Sequence, residues 1–591
     1  MQEEENTKET SVELVDRWRN RIKDAKAYRE QVSKDQAWER FQQEYKGKYD
    51  LGAIGQNMTI IPINLVFAFV HTEIPRLYFR DPYITVNPKG MGYVKSAKIL
   101  EVVINYLIQE LNVKNELFKC LLDTLLVGHG WLKYGYSGTF GQMVTAEDVK
   151  GQGVNTKPLD EVNEYVKSEE IFVLHVPYED IVFDPTAKDP PYDCHWIAHR
   201  IVKPLKSVKN SDLYKNTEDL KANFKNKDGD IKTDIQFVEL WEIHDKDSNS
   251  IKVITDGVED FLRDEANPYE LEGLPFSMLK FNPIPGKPYP LSDIALIEPQ
   301  IMEKIKLRSM QLNHLKRWNR QVFMEEGAIN EENLGKYKNG TDGAIIKVEP
   351  GAISGNKFMV PQYPTMQAEI FQIESLIQMD MDTIIGQTQT DRGGKAETRT
   401  RTLGEVQIQQ SGSLTRSERR KDALEDFLGE VCRKVIQLVK QFQLTPKYAR
   451  LSDEMDPQMM GQQLQGKFDG QGLFYTKKDI QGEMDIDVKA GSTIPMNLEN
   501  RLKALTEAVQ LGPAIGVQPG GPVAIEVGKE ILTILGLKSI LKAFQDQEQQ
   551  QQQMLGQMNG MVDSQQQGGP VPPSGPVPTM PPGGGGVPGG L

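Results

Sequence analysis

The stretch TDRGGKAETRT, residues 390–400, carries the ingredients of a phosphate cradle: two glycines, a lysine, then threonines and arginines. A Gly-rich turn ending in Gly-Lys can wrap backbone N–H groups around phosphates. A Walker loop, however, needs glycine, four residues, then Gly-Lys-Ser/Thr, because the hydroxyl after the lysine holds magnesium. Here Gln389 stands where the first glycine belongs, and Ala396 follows Lys395. The preceding FQIESLIQMDMDTII has a helical period rather than the Val/Ile run of a leading strand. Nucleotide binding is excluded on spacing, which leaves a basic, glycine-hinged loop between two helices.

Other constellations invite metal chemistry. CHWIAH brings Cys194, His195 and His199 close together, and thiolate with imidazole can hold zinc. In a strand, though, His195 and His199 share one face while Cys194 points away, and no second Cys/His pair lies nearby. MDIDVKAG sets Asp485, Asp487 and Lys489 on one strand face, like the acidic-x-Lys end of a metal-dependent nuclease. The competing reading makes them a solvated face, with Met484, Ile486 and Val488 turned inward. Glu179, Asp180 and Asp184 of VPYEDIVFDP are turn acids beside proline, and the glycines of GHGWLKYGY end a helix and start a hairpin. No Ser/His/Asp or Cys/His order stands out among the seven histidines. We therefore expect no catalytic, cofactor-binding or metal-ligating residues and do not read the chain as an enzyme; the alternative is a metal-dependent nuclease using Asp485, Asp487 and Lys489.

The elements around these residues follow from periodicity. Residues 11–46 read as one or two amphipathic helices, and 91–130 as two more, the second closed by Gly128 and Gly130. From there GWLKYGYS, EEIFVLHVPYEDIVFDP, HWIAHRIV, DIQFVELWEIHD and SIKVITDG alternate or run apolar between Pro/Gly/Asp turns, as strands do. Beyond Leu291 the pattern becomes a long helix with a Ser292 cap and Ile294, Ile297, Ile301, Ile305, Leu312, Leu315 and Val322 at near-heptad spacing. Its charges are mostly basic: Lys304, Lys306, Arg308, Lys316, Arg317 and Arg320. A Gly/Asn-rich β segment follows, then a helix over 366–386 with Glu369, Glu374, Asp380 and Asp382. After the basic loop comes the longest helical pattern, with a bend expected at Gly412 between Ser411 and Ser413. A strand at MDIDV, two helices within 498–545, and a Gln- and Pro/Gly-rich tail that cannot build a core complete the chain.

At 591 residues the chain exceeds one compact core. A net charge of −14 argues against a protein that clamps nucleic acid over its whole surface, yet suits one that works beside DNA without sticking to it. Three scattered cysteines fit a reducing compartment, the N-terminus MQEEENTKET lacks a signal peptide's basic region, and the apolar MTIIPINLVFAFV is too short to span a bilayer. A soluble intracellular protein, with no membrane partner, is expected.

The order of parts resembles the portal, or head–tail connector, proteins of tailed bacteriophages, especially the large portals of short-tailed phages. IPINLVFAFVHTEIPRLYFRDPYITVNP is similar to the portal helix leading into a P-x-I-x-V-x-P strand, and LLDTLLVGHGWLKYGY to the family's helix, Gly-x-Gly, hairpin step. VPYEDIVFDPTAKDPPYDCHWIAHRIVKPLKSVK resembles its V-P-x-D-x-x-x-D-P segment. GLPFSMLKFNPIPGKPYPLSDIALIEPQIMEKIKLRSMQLNHL resembles the approach to the first stem helix, and DIQGEMDIDVKAGSTIPMNLENRLKAL the wing strand and crown helices.

The resemblance implies an α+β portal fold, mainly helical, with a β-rich wing and a small β clip, assembled as a ring that is usually dodecameric. Mapped onto this chain it implies an N-terminal helical segment (1–50), wing (51–290), first stem helix (291–323), clip (324–362), second stem helix (363–387) and tunnel loop (388–399). A long kinked helix (400–445), wing strands (446–497), crown helices (498–545) and a disordered tail (546–591) follow. The tail departs from a long helical barrel above the crown. The implied role is a channel at the unique capsid vertex, for packaging by terminase, DNA retention, ejection and tail attachment. The implied location is the virion, with the host cytoplasm during assembly. Implied partners are other copies of the chain, the major capsid protein, the terminase large subunit, head–tail adaptor or tail proteins and a scaffolding protein. Double-stranded DNA would be met without sequence specificity: Arg392, Lys395, Arg399 and Arg401 would touch passing phosphates, Gly393 and Gly394 would hinge the loop, and the basic residues of 291–323 would line the channel.

Overall fold

The computed structural model describes residues 11–50, 60–78, 81–142, 164–224, 235–318, 323–331, 333–335, 347–355, 358–359, 369–386, 403–443, 446–452, 464, 467–469, 471–488, 527–528 and 531. The chain forms two compact units, Met1–Pro495 and Met496–Leu591. In the second, only 527, 528 and 531 are described, and all three are helical. Everything below concerns the first, an α+β unit.

It opens with helices α1 (Ser11–Asp35) and α2 (Trp38–Tyr45), joined through Ala37 in the left-handed region at φ 57°. The apolar stripe of α1, Val15, Trp18, Ile22 and Ala25, is buried on Val182, Trp196, Ala198, Trp241, Ile243, Ile254 and Phe261. These residues belong to or flank a five-stranded antiparallel sheet of order β4 (Ile181–Phe183), β5 (Trp196–Pro204), β6 (Phe237–Asp245), β7 (Ser250–Ile254) and β8 (Arg263–Ala266). Trp18 meets Trp196 edge-on at 5.7 Å, and the Lys26 ammonium lies 4.1 Å from the Trp241 ring centre. Arg29 of α1 donates to the carbonyls of Tyr178, Glu179 and Ile181, so α1 also satisfies backbone groups at the sheet's end. A short helix, α6 (Leu205–Lys209), follows β5.

The main core gathers α3 (Leu65–Leu77), α4 (Val94–Glu110) and α5 (Val113–Val127) with a second sheet. That sheet is antiparallel, in the order β3 (Glu164–Val176), β2 (His129–Gln142), β9 (Phe276–Lys280). Strands β8 and β9 carry little apolar alternation and were not legible as strands; the sheets they complete supply their pairing. α5 ends as its sequence suggests, at Gly128 with φ +96°. A Cβ there would lie 2.7 Å from the Pro290 carbonyl oxygen, and one at Gly130 would lie 2.1 Å from that of Cys120. Both glycines allow close backbone approach.

A two-stranded antiparallel ribbon joins distant parts of the chain: β1 (Ile84–Pro88) pairs with β14 (Met484–Val488), Val86 opposite Ile486. Buried polar residues of α4 complete β1. The Ile84 N–H donates to Asn105 Oδ1 (2.9 Å) and the Val86 N–H to Glu101 Oε2 (3.1 Å), while Asn105 Nδ2 donates to the Ile84 carbonyl. Side chains thus do the work of a third strand. β12 (Lys447–Arg450) and β13 (Gly472–Tyr475) form a further ladder.

Candidate functional site

Three helices carry or flank the stem, loop and kink residues singled out by the sequence: α7 (Asp293–Trp318), α8 (Glu369–Ile385) and α9 (Leu403–Phe442). Ser292 Oγ accepts from the Ala295 N–H at 2.9 Å, so the cap read from sequence is made. Ile294, Ile297, Ile301 and Ile305 of α7 and Ile377, Met381 and Ile385 of α8 are buried in the main core. α7 is described as far as Trp318; Phe323, read as helical, instead opens β10 (Phe323–Met324), which pairs antiparallel with β11 (Phe358–Met359). Helical spacing of apolar residues continued to Val322, but pairing with β11 decides the local structure of Phe323. A bridge between Ile329 and Val348 lies inside that excursion.

Two basic residues of α7 meet α8. Lys304 Nζ donates to Gln378 Oε1 at 2.7 Å, and Arg308 lies 3.8 Å from Glu374. Lys304, expected to line a channel, is therefore held in the helix–helix seam. Lys306 is half-buried. Lys316 and Arg317 fall in the last turn of α7, where only the backbone is described, and Arg320 lies outside the described residues. So do Arg392, Gly393, Gly394, Lys395, Arg399 and Arg401. α9 runs as one helix through Gly412.

Past Arg420, α9 is built into the second sheet. Lys434 Nζ donates to the carbonyls of Leu274 (3.1 Å) and Phe276 (2.6 Å) and lies 2.8 Å from Glu430 Oε1. Glu430 in turn accepts from Tyr192 Oη (2.7 Å) and Ser277 Oγ (2.5 Å). Burial pushes the Glu430 carboxyl up, but the Lys434 ammonium and these donors outweigh it and hold it below its ordinary value; burial pushes Lys434 down. A second buried cluster ties the two sheets: Lys133 of β2 lies 2.8 Å from Glu242 of β6, whose carboxylate also takes His244 (2.6 Å), while His199 of β5 sits 3.3 Å from Lys133. Sequence reasoning passed over both clusters. The available signal was a lysine or glutamate inside an apolar run: Lys133 in GWLKYGY, Glu242 in ELWEIHD.

The metal readings separate. β5 starts at Trp196, so His195 precedes the strand and is exposed beside Asp247 (3.0 Å), Cys194 is buried, and His199 belongs to the intersheet cluster. The expectation that His195 and His199 share a strand face is corrected, and the trio does not converge. Asp485 and Asp487 project from the exposed side of β14, toward Lys89 (3.2 Å) and Asn87 (3.0 Å). Lys489 lies outside the described residues. Among the described residues, no group of three or more His, Cys, Asp or Glu is placed to hold a metal ion, and no helix is long and apolar enough to cross a membrane.

A helical pair, a short β ladder between its members and a long sheet-anchored helix are thus set on a β-rich body. A family model described as the phage SU10 portal protein matches residues 139–568. The chain belongs to this phage portal family. It is a structural protein of a tailed-phage head–tail connector and a virion component. The match begins near the end of β2, spans the five-stranded sheet and all three helices α7–α9, and ends inside the second unit. No curated protein matches the chain by sequence.

Proposed function

We propose that copies of this portal protein close into a ring, of twelve subunits in the usual portal arrangement, around a channel for double-stranded DNA at one capsid vertex. The observation that carries this reading is the second apolar face of α8. Ile377, Met381 and Ile385 are buried against the chain's own core, yet Leu376 (52 % exposed) and Met379 (58 % exposed) lie on a different side of the helix, and Ile373, at the edge of the buried row, is also exposed. Met310 of α7 is 57 % exposed as well. A soluble subunit does not leave such a patch in water without a use for it, and repeated head-to-tail contact with a neighbouring copy closes a ring. In this reading α7 and α8 are the stem, 324–362 the clip that meets terminase and later the tail adaptor, and 388–399 the tunnel loop. The major capsid protein and a scaffolding protein contact the outer rim.

The net charge of −14 supports passage rather than retention of DNA along the whole channel, since each neutralised phosphate releases counterions and adds affinity. Arg392, Lys395, Arg399 and Arg401 then act as brief phosphate contacts. Native mass spectrometry and negative-stain imaging test the ring; monomer and dimer alone, across concentration and salt, would refute it. Replacing Arg392, Lys395 and Arg399 with glutamine should leave rings intact, lower the salt slope of DNA binding by roughly 0.9 per lost contact, and reduce the yield of filled heads. Normal packaging and retention in that variant would defeat the loop assignment.

A further inference from the structure

Asp293 is the first residue of α7, and Arg420 lies on α9, 127 positions later. Their side chains meet: Arg420 Nη2 donates to Asp293 Oδ1 at 2.6 Å, with the carboxylate side chain 2 % and the arginine 13 % exposed. Between these two residues run α7, the β10–β11 excursion, α8, the basic loop and the first part of α9. Ile294, Ile297, Ile301 and Ile305 of α7 pack on the main core just after Asp293, and α9 joins the second sheet just after Arg420.

The start of α7 is held from several sides. Asn282 Nδ2 donates to Asp293 Oδ1 (3.2 Å) and to the Leu291 carbonyl (3.3 Å), and Gly128 presses its backbone against residues 290–292. The other nitrogen of Arg420 lies 3.6 Å from Glu73 on α3, which is buried and also paired with Arg76 at 3.0 Å. Arg420 therefore stands between two buried carboxylates on different helices. Asp293 Oδ2 is buried and has no hydrogen-bond partner among the described residues, so a small shift of the guanidinium has an acceptor to move to. Buried ion pairs of this kind add little net stability against an apolar replacement, but they fix register.

We infer that Asp293 and Arg420, backed by Glu73, form a clasp that fixes the start of α7 against α9 and α3. They are positioning residues, and the functional part of the inference rests on the portal reading: the clasp couples the start of the first stem helix to α9 and to α3.

Hydrogen exchange on the purified full-length protein tests the clasp itself. In Arg420→Met, amides 297–309 of α7 should exchange about a hundredfold faster, because one partner of a buried pair is left alone, while β5–β7 keep their protection. Asp293→Asn keeps the packing and decides the matter if Arg420→Met does not fold; Arg420→Lys should recover part of the protection. Unchanged exchange in α7, or uniform acceleration through the sheets, overturns the clasp. The second arm counts filled heads and their DNA retention with Asp293→Asn rings. Normal filling and retention would overturn the coupling. If heads lacking this chain fill as well as heads that contain it, the portal reading itself fails, while the exchange result still judges the clasp.

Discussion

Lys434→Met is the substitution for which the structure gives the plainest magnitude. The side chain is buried, its ammonium serves two backbone carbonyls, Leu274 and Phe276, and it is the partner cation of Glu430. Breaking a buried pair from one side costs about 3–5 kcal/mol, mainly because the remaining charge is left without compensation. Orphaning buried carbonyls works in the same direction, by about 1–3 kcal/mol each where water cannot replace the donor. A loss of about 4 kcal/mol is expected for Lys434→Met, and somewhat less for Glu430→Gln, where Tyr192 and Ser277 still find an oxygen. In the double variant the charge mismatch is gone, so the losses should be sub-additive by about 1–3 kcal/mol. Urea unfolding followed by tryptophan fluorescence, at concentrations where subunits are not assembled, reads all four corners of the cycle. The sign with pH is defined too. The Glu430 carboxyl is held below its ordinary value, so its contribution is complete above the unfolded carboxylate range and disappears as pH falls through the folded value. A Lys434→Met loss under about 1 kcal/mol, or strict additivity, would refute the claim that this cluster anchors α9 to the sheet.

Burial pushes His129 and His199 down to about 3, so both stay neutral in the folded chain while the unfolded chain takes up protons near pH 6.5. Stability should be complete above that pH and fall toward pH 3 by up to about 1.4 kcal/mol per pH unit for each histidine; His199→Gln should remove one histidine's share, and a flat profile between pH 6.5 and 4.5 would count against it. Gly128→Ala should cost roughly 2–5 kcal/mol in chemical denaturation, combining left-handed backbone strain with a Cβ pressed on Pro290, whereas Gly257→Ala, at φ +89° in open space, should cost only about 1–2 kcal/mol. Equal effects at the two sites would show that the close approach at Gly128 is unimportant. Asp485→Asn with Asp487→Asn should change stability by less than about 0.5 kcal/mol, as exposed substitutions do, and leave DNA incubated with magnesium as intact as with the wild type; magnesium-dependent cutting by the wild type that this variant abolishes would revive the nuclease reading.

What the sequence determined by itself lies within the reach of local physics. The stripe Val15, Trp18, Ile22, Ala25 specifies a buried helix face, and Gly128 specifies a helix end. Ser292 and the isoleucines after it specify a capped, core-facing helix. Each rests on a 3.6-residue period or a preference for positive φ, properties expressed over a few adjacent residues. The portal resemblance was legible for a related reason, since several such local signals follow one another in a fixed order. Tertiary structure decided the rest. No period announces that DPYITVNP pairs with MDIDV, that Asn105 and Glu101 complete β1, or that Arg420 returns to Asp293. Those contacts depend on which surfaces meet once the chain has closed on itself, across 15 residues for Glu101 and Val86 and 400 for Asn87 and Asp487. The same closure set Asp485 and Asp487 beside Asn87 and Lys89, and placed Lys304 in the seam with Gln378. A charged residue in a linear pattern has only a type and a spacing; its partner, and hence its role, comes from the elements packed against it.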